Sequence, residues 1–439
     1  MSEAASTGAG EQPAAKVALV MAHRFPGKFA FTVLAGALER EEDTGQLRLV
    51  FARDRQGMVD AARAAHTRGE RIVLAWSFYS PGFPEAAEEL AWVRAQLAGI
   101  DALCIAGGVH ATSESLETLQ AGFDLVAVGE GEKTIVELIR RLRVGEGWHG
   151  VPGTARLEDG ALRSHGKGEL AALDDWPPFA VRHDKFGAIE ITRGCIYACH
   201  FCQTPFVSKA RFRHRSIANI VGWARKLRAT GRRDLRFISP TSLSYGSPDE
   251  TPNLDAVEAL LAGCREAMGS EGRVYFGTFP SEVRPEHVTP EALKVLKKWV
   301  TNDNLIIGGQ SGSERVLAQS HRGHDVESIV RAARISVECG FLPNVDFILG
   351  LPGEEAADID ATIALMERLA ELGAKVHGHT FMPLPGTPFR RSPPGHVDEA
   401  TREKLDRLAS QGRLYGQWKR QQAVAAEMAE RRDRRRSPA

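Results

Sequence analysis

The 439-residue sequence has few cysteines, no excess of either charge and no long apolar run. Its six cysteines form no regular framework, which argues against a disulfide-stapled secreted domain and favours a reducing compartment. Lys plus Arg and Asp plus Glu number 56 each, so nucleic acid is not expected as the main partner. No apolar stretch approaches the roughly 18 residues of a transmembrane helix. The first 13 residues have neither a basic start nor an apolar core, and we expect a soluble, cytoplasmic protein.

Three of the cysteines, Cys195, Cys199 and Cys202, fall within eight residues in the spacing C-x-x-x-C-x-x-C. An apolar run over 188–191 precedes them, so the pattern places them on a loop just after a strand. Three thiolates this close can hold one metal centre, either a four-iron, four-sulfur cluster or, with a fourth ligand, a structural zinc ion. No second C-x-x-C pair exists, which favours the cluster. A cluster with three protein ligands leaves one iron open, as catalytic metal centres do.

Chance clustering of buried cysteines is the remaining alternative. Core cysteines are usually scattered singly in apolar segments, where they behave as small hydrophobic residues. Cys104, Cys264 and Cys339 follow that pattern. The grouped cysteines do not, and we therefore interpret them as metal ligands.

The first half of the chain alternates continuous apolar strands with amphipathic helices. Strands are predicted at 17–21, 47–51, 72–76, 102–106 and 125–128. This alternation is typical of a parallel sheet covered on both faces. It predicts an α/β, flavodoxin-like doubly wound domain over 16–145, with ligands at the carboxyl ends of the strands.

Small and polar residues follow three of these strands. Ser77 comes after the third, Gly107, Gly108 and His110 after the fourth, and Glu130 after the fifth. Paired glycines allow a ligand to approach the backbone because no Cβ stands in the way. Glycines at such turns also serve chain geometry alone, so the pattern by itself is a weak indication of a site.

A second alternation occupies 184–395, after a Gly-rich connector over 146–183 that contains the Asp-Gly turn of a small hairpin. Six strand–helix units, with strands near 188–191, 235–238, 274–278, 305–307, 345–349 and 375–382, predict a partial (β/α)6 barrel. Its chemistry is expected on the loops after the strands. We expect a disordered tail at 1–15, and a charged helical segment with a basic tail at 396–439.

The cysteine pattern, with Phe201 just before the last cysteine, resembles the radical S-adenosylmethionine (SAM) superfamily. The resemblance covers nearly the whole second half. It implies that Cys195, Cys199 and Cys202 ligate a [4Fe-4S] cluster, and that SAM chelates the open iron. One electron, from a donor such as a flavodoxin or ferredoxin, then cleaves SAM to a 5′-deoxyadenosyl radical. The implied SAM-binding residues at the strand ends are Phe201, Ser239, Gln310, Ser311 and Gly350.

The first half resembles the cobalamin-binding domain of cobalamin-dependent radical SAM enzymes. The family pattern has a Ser after the third strand, then Gly-Gly-x-His and Gly-Glu-x-Glu, all of which are present here. The resemblance implies cobalamin contacts from Ser77, Gly107, Gly108, His110 and Glu130. The Asp-x-His-x-x-Gly motif that supplies a cobalt ligand elsewhere is absent. His23 lies in the corresponding stretch and is interpreted as a polar loop residue.

The implied function is cobalamin-dependent methylation of an unactivated carbon in a small molecule or peptide. A radical rearrangement or coupling enzyme, with or without cobalamin, is the first alternative. The segments 310–317, 321–324 and 385–388 also resemble methylthiotransferases. Those enzymes bind a second cluster through three N-terminal cysteines, and this chain has only Cys104 before Cys195. An iron–sulfur sensor is the non-enzymatic alternative, although a sensor needs no barrel to shelter a radical.

Overall fold

The computed structural model describes residues 15–435, which fold into two compact units. One unit extends to Ala171 and includes Phe179–Lys185, and the other consists of Ala172–Pro178 and the chain from Phe186 onward. The tail predicted at 1–15 lies outside the described residues except for Ala15, and so do residues 436–439 of the basic tail. Within residues 15–435 no helix is long and apolar enough to cross a membrane.

The first unit is built on a seven-stranded sheet in the order β2-β1-β3-β4-β5-β6-β7. Strands β1 to β5 are parallel, and every residue of β1 is buried, as the apolar runs predict. The doubly wound fold is confirmed. The strands are β1 (Val17–Ala22), β2 (Leu47–Ala52), β3 (Arg71–Ser77), β4 (Leu103–Gly107), β5 (Leu125–Ala127), β6 (Thr154–Glu158) and β7 (Ala161–Ser164). The helices are α1 (Lys28–Glu42), α2 (Arg55–Thr67), α3 (Phe83–Gln96), α4 (Val109–Ser113), α5 (Ser115–Gln120) and α6 (Glu132–Arg143).

The hairpin of β6 and β7 is part of this sheet. Its turn, Asp159-Gly160, has φ angles of 51° and 75°. Positive φ at both central residues is what a two-residue type I′ turn requires, and Asp-Gly supplies it at little cost. Strand β6 pairs antiparallel with β5, with Val126 opposite Ala155. The segment predicted as a connector therefore extends the sheet by two antiparallel strands.

The second unit contains two runs of parallel strands, β8-β11-β12 and β13-β14-β15-β16. Just beyond the strand Arg273–Tyr275, the Gly277 carbonyl oxygen accepts a hydrogen bond from the Ile306 amide at 2.9 Å, and Val283 forms a parallel bridge with Ile307, so this segment connects the two runs. The partial parallel barrel is thereby confirmed. The strands are β8 (Ile189–Glu190), β9 (Thr192–Arg193), β10 (Arg213–His214), β11 (Asp234–Ile238), β12 (Arg273–Tyr275), β13 (Asn304–Gln310), β14 (Leu342–Leu349), β15 (Lys375–Thr380) and β16 (Leu414–Tyr415). The helices are α7 (Thr204–Val207), α8 (Ile217–Ala229), α9 (Leu254–Met268), α10 (Pro290–Trp299), α11 (Glu314–Gln319), α12 (Val326–Glu338), α13 (Ala356–Glu371), α14 (Glu399–Ser410) and α15 (Trp418–Arg434).

The C-terminal segment, predicted to be helical, consists of α14 and α15 with the short strand β16 between them. Gly412 and Gly416 flank the strand with φ angles of 68° and 128°, which end the helical path. A Cβ on Gly416 would lie 2.3 Å from the carbonyl oxygen of Gly378. Only glycine allows the chain to approach β15 that closely, and the approach adds β16 to the sheet.

Glycines in β13 identify the inner face of the barrel. A Cβ on Gly309 would meet Val345 and, in α12, Ile329, so this residue faces the helices. Gly308 faces the opposite side, which we call the lumen. In register beside Gly308 are Asp346 of β14, then His377 of β15. These strand positions consequently share the lumenal face.

Candidate active site

The three clustered cysteines lie on the loop between β9 and α7, at the carboxyl end of the first barrel strands. Gly194 begins the loop with a φ of 83°, and a Cβ there would lie 2.2 Å from the carbonyl oxygen of Arg211. The amide of Cys202 donates to the carbonyl oxygen of Cys199 at 3.1 Å, which closes a tight turn. All three cysteines are free thiols; Cys199 is buried, and Cys195 and Cys202 are partly exposed.

Loops that follow other barrel strands hold the cysteine loop in place. The amide of His200 donates to the Ser320 carbonyl oxygen at 3.0 Å, and the amide of Phe389 donates to that of His200 at 3.2 Å. The imidazole of His200 stacks on His321 with ring centroids 5.3 Å apart. Its Nδ1 lies 3.0 Å from the Gln319 carbonyl oxygen. These contacts make His200 a support for the loop and leave it poorly placed as a fourth zinc ligand.

The thiol geometry fits a cluster better than a single ion. Zinc–sulfur bonds of about 2.3 Å in a tetrahedral site would place the sulfur atoms about 3.8 Å apart. Across residues 15–435 the cysteine sulfurs do not form a group whose ligand atoms all lie within 4.8 Å of one another. Burial, together with the charges of Cys199 and Cys202, raises the pKa of Cys195 to about 12. Three thiolates therefore need positive charge among them, which the irons of a cluster provide.

Arg322 connects the cysteine loop to the lumen. Its side chain is buried, and its Nη1 donates to Cys199 Sγ at 3.5 Å while its Nη2 donates to the Gly308 carbonyl oxygen at 2.6 Å. A Cβ on Gly308 would lie 2.5 Å from Arg322 Nη2, 2.8 Å from Gln310 Nε2 and 3.1 Å from Glu282 Oε2. The absence of a side chain at Gly308 thus makes room for three polar groups beside the cysteine loop.

Glu282 is the acidic member of this group. Burial raises the pKa of its carboxyl group, the positive charge of Arg322 opposes the rise, and the negative charge of Asp346 adds to it. Asp346 lies on the lumenal face, which places Glu282 in the lumen as well. An arginine, a carboxylate and an amide in one partly enclosed recess can bind a ligand that carries both an ammonium and a carboxylate group.

Gln310 occupies an unusual backbone position. It has a φ of 77°, and the pairing of β13 with β14 shifts register between Gly308 and Gln310. A left-handed conformation at a non-glycine residue costs of order 1 kcal/mol and is enriched at functional sites. The bulge turns the amide toward Arg322 and Glu282. The structure therefore brings this predicted cofactor residue to the cysteine loop.

The other predicted SAM-binding residues serve the fold to different degrees. Ser311 Oγ lies 3.3 Å from Thr362 Oγ1 of α13, and Ser239 donates to the carbonyl oxygen of Thr241 at 2.8 Å. Gly350 has a φ of 71°, and a Cβ there would lie 2.6 Å from the amide nitrogen of His396. Phe201 packs against a buried apolar cluster behind the loop. Contacts within the chain account for the two serines, for Gly350 and for Phe201.

Two hydroxyl groups just beyond Ser239 are better placed to receive a ligand. Thr241 Oγ1 and Ser242 Oγ are buried and have no hydrogen-bond partner within residues 15–435. Buried polar groups are nearly always satisfied, so such a pair indicates a missing partner. The sequence analysis predicted a SAM contact in this loop, but it assigned the contact to Ser239 and not to Thr241 or Ser242. Glu282 gave no sequence signal, and Arg322 appeared only as part of His321-Arg-Gly-His324.

In the first unit, the predicted cobalamin residues lie at the ends of the adjacent strands β3, β4 and β5. Gly108 has a φ of 93°, and a Cβ there would lie 2.9 Å from the Phe78 carbonyl oxygen and 3.0 Å from Ser77 Oγ. The chain itself occupies that space, so the idea that Gly108 opens a slot is wrong. Gly107 is different, because its Cβ would meet only Ala127 Cβ, at 3.8 Å.

His110 and Glu130 are also engaged within the first unit. His110 is fully buried, its Nδ1 lies 3.1 Å from Ser80 Oγ, and its ring stacks on Phe83 at 4.4 Å. The Glu130 carboxylate accepts a hydrogen bond from the Ala171 amide at 2.8 Å. Their packing explains both residues without a ligand. His23 Nε2 lies 3.2 Å from Thr32 Oγ1, as expected of a polar loop residue.

The fold and the cysteine loop together define a class. A three-cysteine loop at the carboxyl end of a partial parallel barrel is the arrangement of a radical SAM domain, and residues 189–384 match the family model of the Radical SAM superfamily. The second unit therefore contains a radical SAM domain. The resemblance inferred from the cysteine spacing is confirmed.

Two solved structures with a similar fold contain bound cobalamin. The radical SAM methyltransferase TsrM from Kitasatospora setae, solved with cobalamin and a [4Fe-4S] cluster, is 15% identical with a TM-score of 0.67 over 86% of this chain and 74% of TsrM. The cobalamin-dependent SAM radical enzyme OxsB, solved with aqua-cobalamin and SAM, is 17% identical with a TM-score of 0.63 over 81% of this chain and 52% of OxsB. These likenesses confirm the two-part fold.

Curated relatives match only part of their length. The tRNA-2-methylthio-N(6)-dimethylallyladenosine synthase of Thiobacillus denitrificans is 31% identical over 205 residues, 46% of this chain and 44% of that protein. The corresponding enzyme of Halorhodospira halophila is 27% identical over 52% of this chain and 47% of its own. The chain spans about half the length of the curated relatives it matches.

Proposed function

We propose that this radical SAM enzyme transfers a methyl group from SAM to a carbon atom of a small molecule or peptide, with cobalamin as the intermediate carrier. The supporting observation is the contact of Arg322 with both Cys199 and the lumenal strand β13. That contact joins a metal-binding loop to a recess lined by Arg322, Glu282 and Gln310. When bound, the [4Fe-4S] cluster supplies one electron to SAM, and cobalamin supplies methyl transfer.

The chain's own residues have defined tasks in this proposal. Cys195, Cys199 and Cys202 hold the cluster. Arg322 provides a positive charge for the carboxylate of SAM, and Glu282 provides a negative charge for its ammonium group. The unpaired hydroxyls of Thr241 and Ser242 form hydrogen bonds with SAM. The barrel wall excludes water from the reacting atoms. The electron would come from a low-potential donor such as a flavodoxin or ferredoxin.

Cobalamin is proposed for the first unit on the strength of its fold and of the open space beside Gly107. The likeness to TsrM and OxsB makes a corrinoid the first ligand to test there. Because His23 is directed to Thr32, the protein would bind cobalt without a histidine ligand from that loop.

Product analysis after anaerobic reconstitution tests the proposal. The protein with iron, sulfide and hydroxocobalamin is desalted, then incubated with SAM and a strong reductant. Methyl transfer predicts retained corrinoid and cobalamin-dependent formation of S-adenosylhomocysteine. Formation of 5′-deoxyadenosine without S-adenosylhomocysteine would instead support radical rearrangement or coupling. If neither product forms, the result would contradict radical SAM activity and would favour a sensor.

Methylthiotransferase activity is a second candidate, favoured by the similarity to the curated synthases. Such an enzyme would need a second cluster. Cys104, the only cysteine before Cys195, is buried in β4, and burial raises its pKa to about 12. A lone inert thiol cannot bind a cluster, so iron analysis should give about four iron atoms per chain rather than about eight.

A further inference from the structure

A group of metal-ligating side chains lies on the lumenal side of β14 and β15, separate from the cysteine loop. Asp346, His377 and His379 each offer one ligand atom, and these atoms all lie within 4.8 Å of one another. His377 Nδ1 and Asp346 Oδ1 are 2.9 Å apart. Within residues 15–435 no other trio of His, Cys, Asp or Glu side chains meets that condition. The strands bring the three side chains together. His377 and His379 are two residues apart on β15 and therefore share one face, and Asp346 of β14 pairs with His377.

These side chains face the lumen and are accessible from it. A Cβ on Gly378, between the two histidines, would contact Trp418 of α15, so the opposite face of β15 carries the imidazoles. Asp346 pairs in register with Gly308, whose Cβ position lies beside Arg322 and Glu282, so the trio shares the lumenal face with the Arg322 recess. The side chains of His377 and Asp346 are 28% and 16% exposed, so a ligand in the lumen can reach them.

Neighbouring residues fix the orientation of both imidazoles. Gln421 Nε2 lies 3.2 Å from His379 Nδ1, which leaves Nε2 of that ring for another partner. The ring of His377 stacks on Tyr415 with centroids 4.5 Å apart and planes 9° from parallel. Tyr415 in turn donates to Asn344 Oδ1 at 3.2 Å. Outer partners of this kind hold the tautomer and direction of metal-binding histidines in known sites.

We propose that Asp346, His377 and His379 bind one divalent first-row transition cation such as Zn²⁺. Two imidazoles and one carboxylate form a ligand set that suits zinc, iron, cobalt and nickel. A separation of 2.9 Å between His377 Nδ1 and Asp346 Oδ1 equals the spacing of two ligands at right angles on one six-coordinate ion with bonds of about 2.0–2.1 Å, whereas a tetrahedral ion would hold the two atoms about 3.3 Å apart. The ion keeps open positions toward the lumen, and these take an oxygen or nitrogen donor of the substrate.

Zinc binding by the full-length, cluster-reconstituted protein tests the site independently of any activity. After dialysis against micromolar Zn²⁺ and desalting, metal analysis should give one zinc atom per chain in addition to the cluster iron. Zinc-edge X-ray absorption should report nitrogen and oxygen neighbours without sulfur. H377Q, H379Q and D346N should each weaken zinc binding about a hundredfold, while iron content and melting temperature stay unchanged.

The matched control is H396Q. His396 is an exposed histidine of the same unit, and its Nδ1 lies 3.4 Å from Gln422 Nε2. This variant should retain zinc. Sulfur neighbours around the zinc would move the ion to the cysteine loop and overturn the proposal. Equal zinc content in the wild type and the three variants, or no retained zinc in the wild type, would overturn it as well. None of these zinc measurements depends on SAM cleavage, so the zinc-site proposal can be wrong while the proposed function is right, and the reverse.

Discussion

The two units place polar residues at the carboxyl ends of parallel strands, but they use them differently. In the first unit, Ser80, His110 and Glu117 lie against one another, and Glu130 holds the Ala171 amide. In the second unit, Thr241 and Ser242 keep buried hydroxyls that have no partner within residues 15–435, and Gln310 is held in a left-handed conformation. Satisfied groups support a fold, whereas unsatisfied and strained groups indicate a ligand.

The comparison limits what strand-end motifs can reveal. Gly-Gly-x-His in the first unit matched a family pattern, yet Gly108 and His110 are explained by contacts within the chain. In the second unit the best-placed groups, Arg322 and Glu282, stood outside the predicted set. A motif indicates where a strand ends. Whether a ligand binds there is indicated by the polar groups that have no hydrogen-bond partner within the protein.

The largest effect is expected from Cys199→Ala. Two thiolates cannot hold a four-iron cluster, so iron should fall from about four atoms per chain to fewer than one, and 5′-deoxyadenosine formation should cease. Colorimetric iron analysis and absorbance near the cluster band measure the change. Cys264→Ala is the control, because that buried thiol lies in α9 and its loss should cost only packing. Full iron content in Cys199→Ala would contradict the cluster assignment.

The next effect concerns the recess beside the cysteines. Arg322→Lys retains the charge but loses the planar pair of nitrogens that donate separately to Cys199 and Gly308. We expect 5′-deoxyadenosine formation to fall about a hundredfold with iron content unchanged, since the ligand loses a preorganised donor. Arg315→Lys is the matched control, because the Arg315 side chain is half-exposed and pairs with Asp358 of α13. A wild-type rate in Arg322→Lys would remove Arg322 from the site.

Two adjacent glycines distinguish packing from ligand binding in the first unit. Gly108→Val would bring a Cβ within 2.9 Å of the Phe78 carbonyl oxygen at a φ of 93°, so the melting temperature should drop by several degrees. Gly107→Val meets only Ala127 at 3.8 Å and should fold normally. If cobalamin lies beside Gly107, this variant should lose corrinoid while it keeps iron and melting temperature. Normal corrinoid retention in Gly107→Val would place the cofactor elsewhere.

Sequence periodicity was sufficient for most of the architecture, because apolar runs and helical spacing are local signals. The strands predicted at 17–21 and 47–51 match β1 and β2 to within one residue. The short pairing of β9 with β10 and strand β16 were missed, since two-residue strands carry no periodic pattern. The cysteine loop was found because its ligands are consecutive. The Asp346 trio was missed because its members come together only through strand register. In the Arg322 recess only Gln310 was predicted, because Arg322 and Glu282 come from loops that are distant in sequence.

A pH-dependent effect is expected from Glu354, at the end of β14. Burial raises the pKa of its carboxyl group from an ordinary 4.5 to about 7, although the Gly350 amide donates to it at 2.7 Å. A raised folded-state pKa stabilises the fold below the unfolded value and loses that contribution as pH rises through about 7. The wild type should therefore lose at most about 3 kcal/mol between pH 5 and 8 from this group. Thermal unfolding of E354Q should show a smaller decrease over that range, and an identical decrease would contradict the assignment.

The smallest effect is expected from His23→Ala in the first unit. His23 occupies the stretch where a cobalt-ligating histidine would be sought, but its Nε2 lies 3.2 Å from Thr32 Oγ1 and its ring meets Phe51 edge-on at 5.2 Å. Burial and the positive charges of Lys185 and Lys28 lower its pKa, which favours the neutral ring that a metal ligand requires. Its contacts nevertheless direct it to α1. His23→Ala should leave the visible spectrum of bound cobalamin unchanged, with only a small loss of stability from the missing contacts. A shift of that spectrum on substitution, seen at equal corrinoid content, would show that His23 reaches the cobalt and that this strand end, unlike its neighbours, has a ligand-binding role.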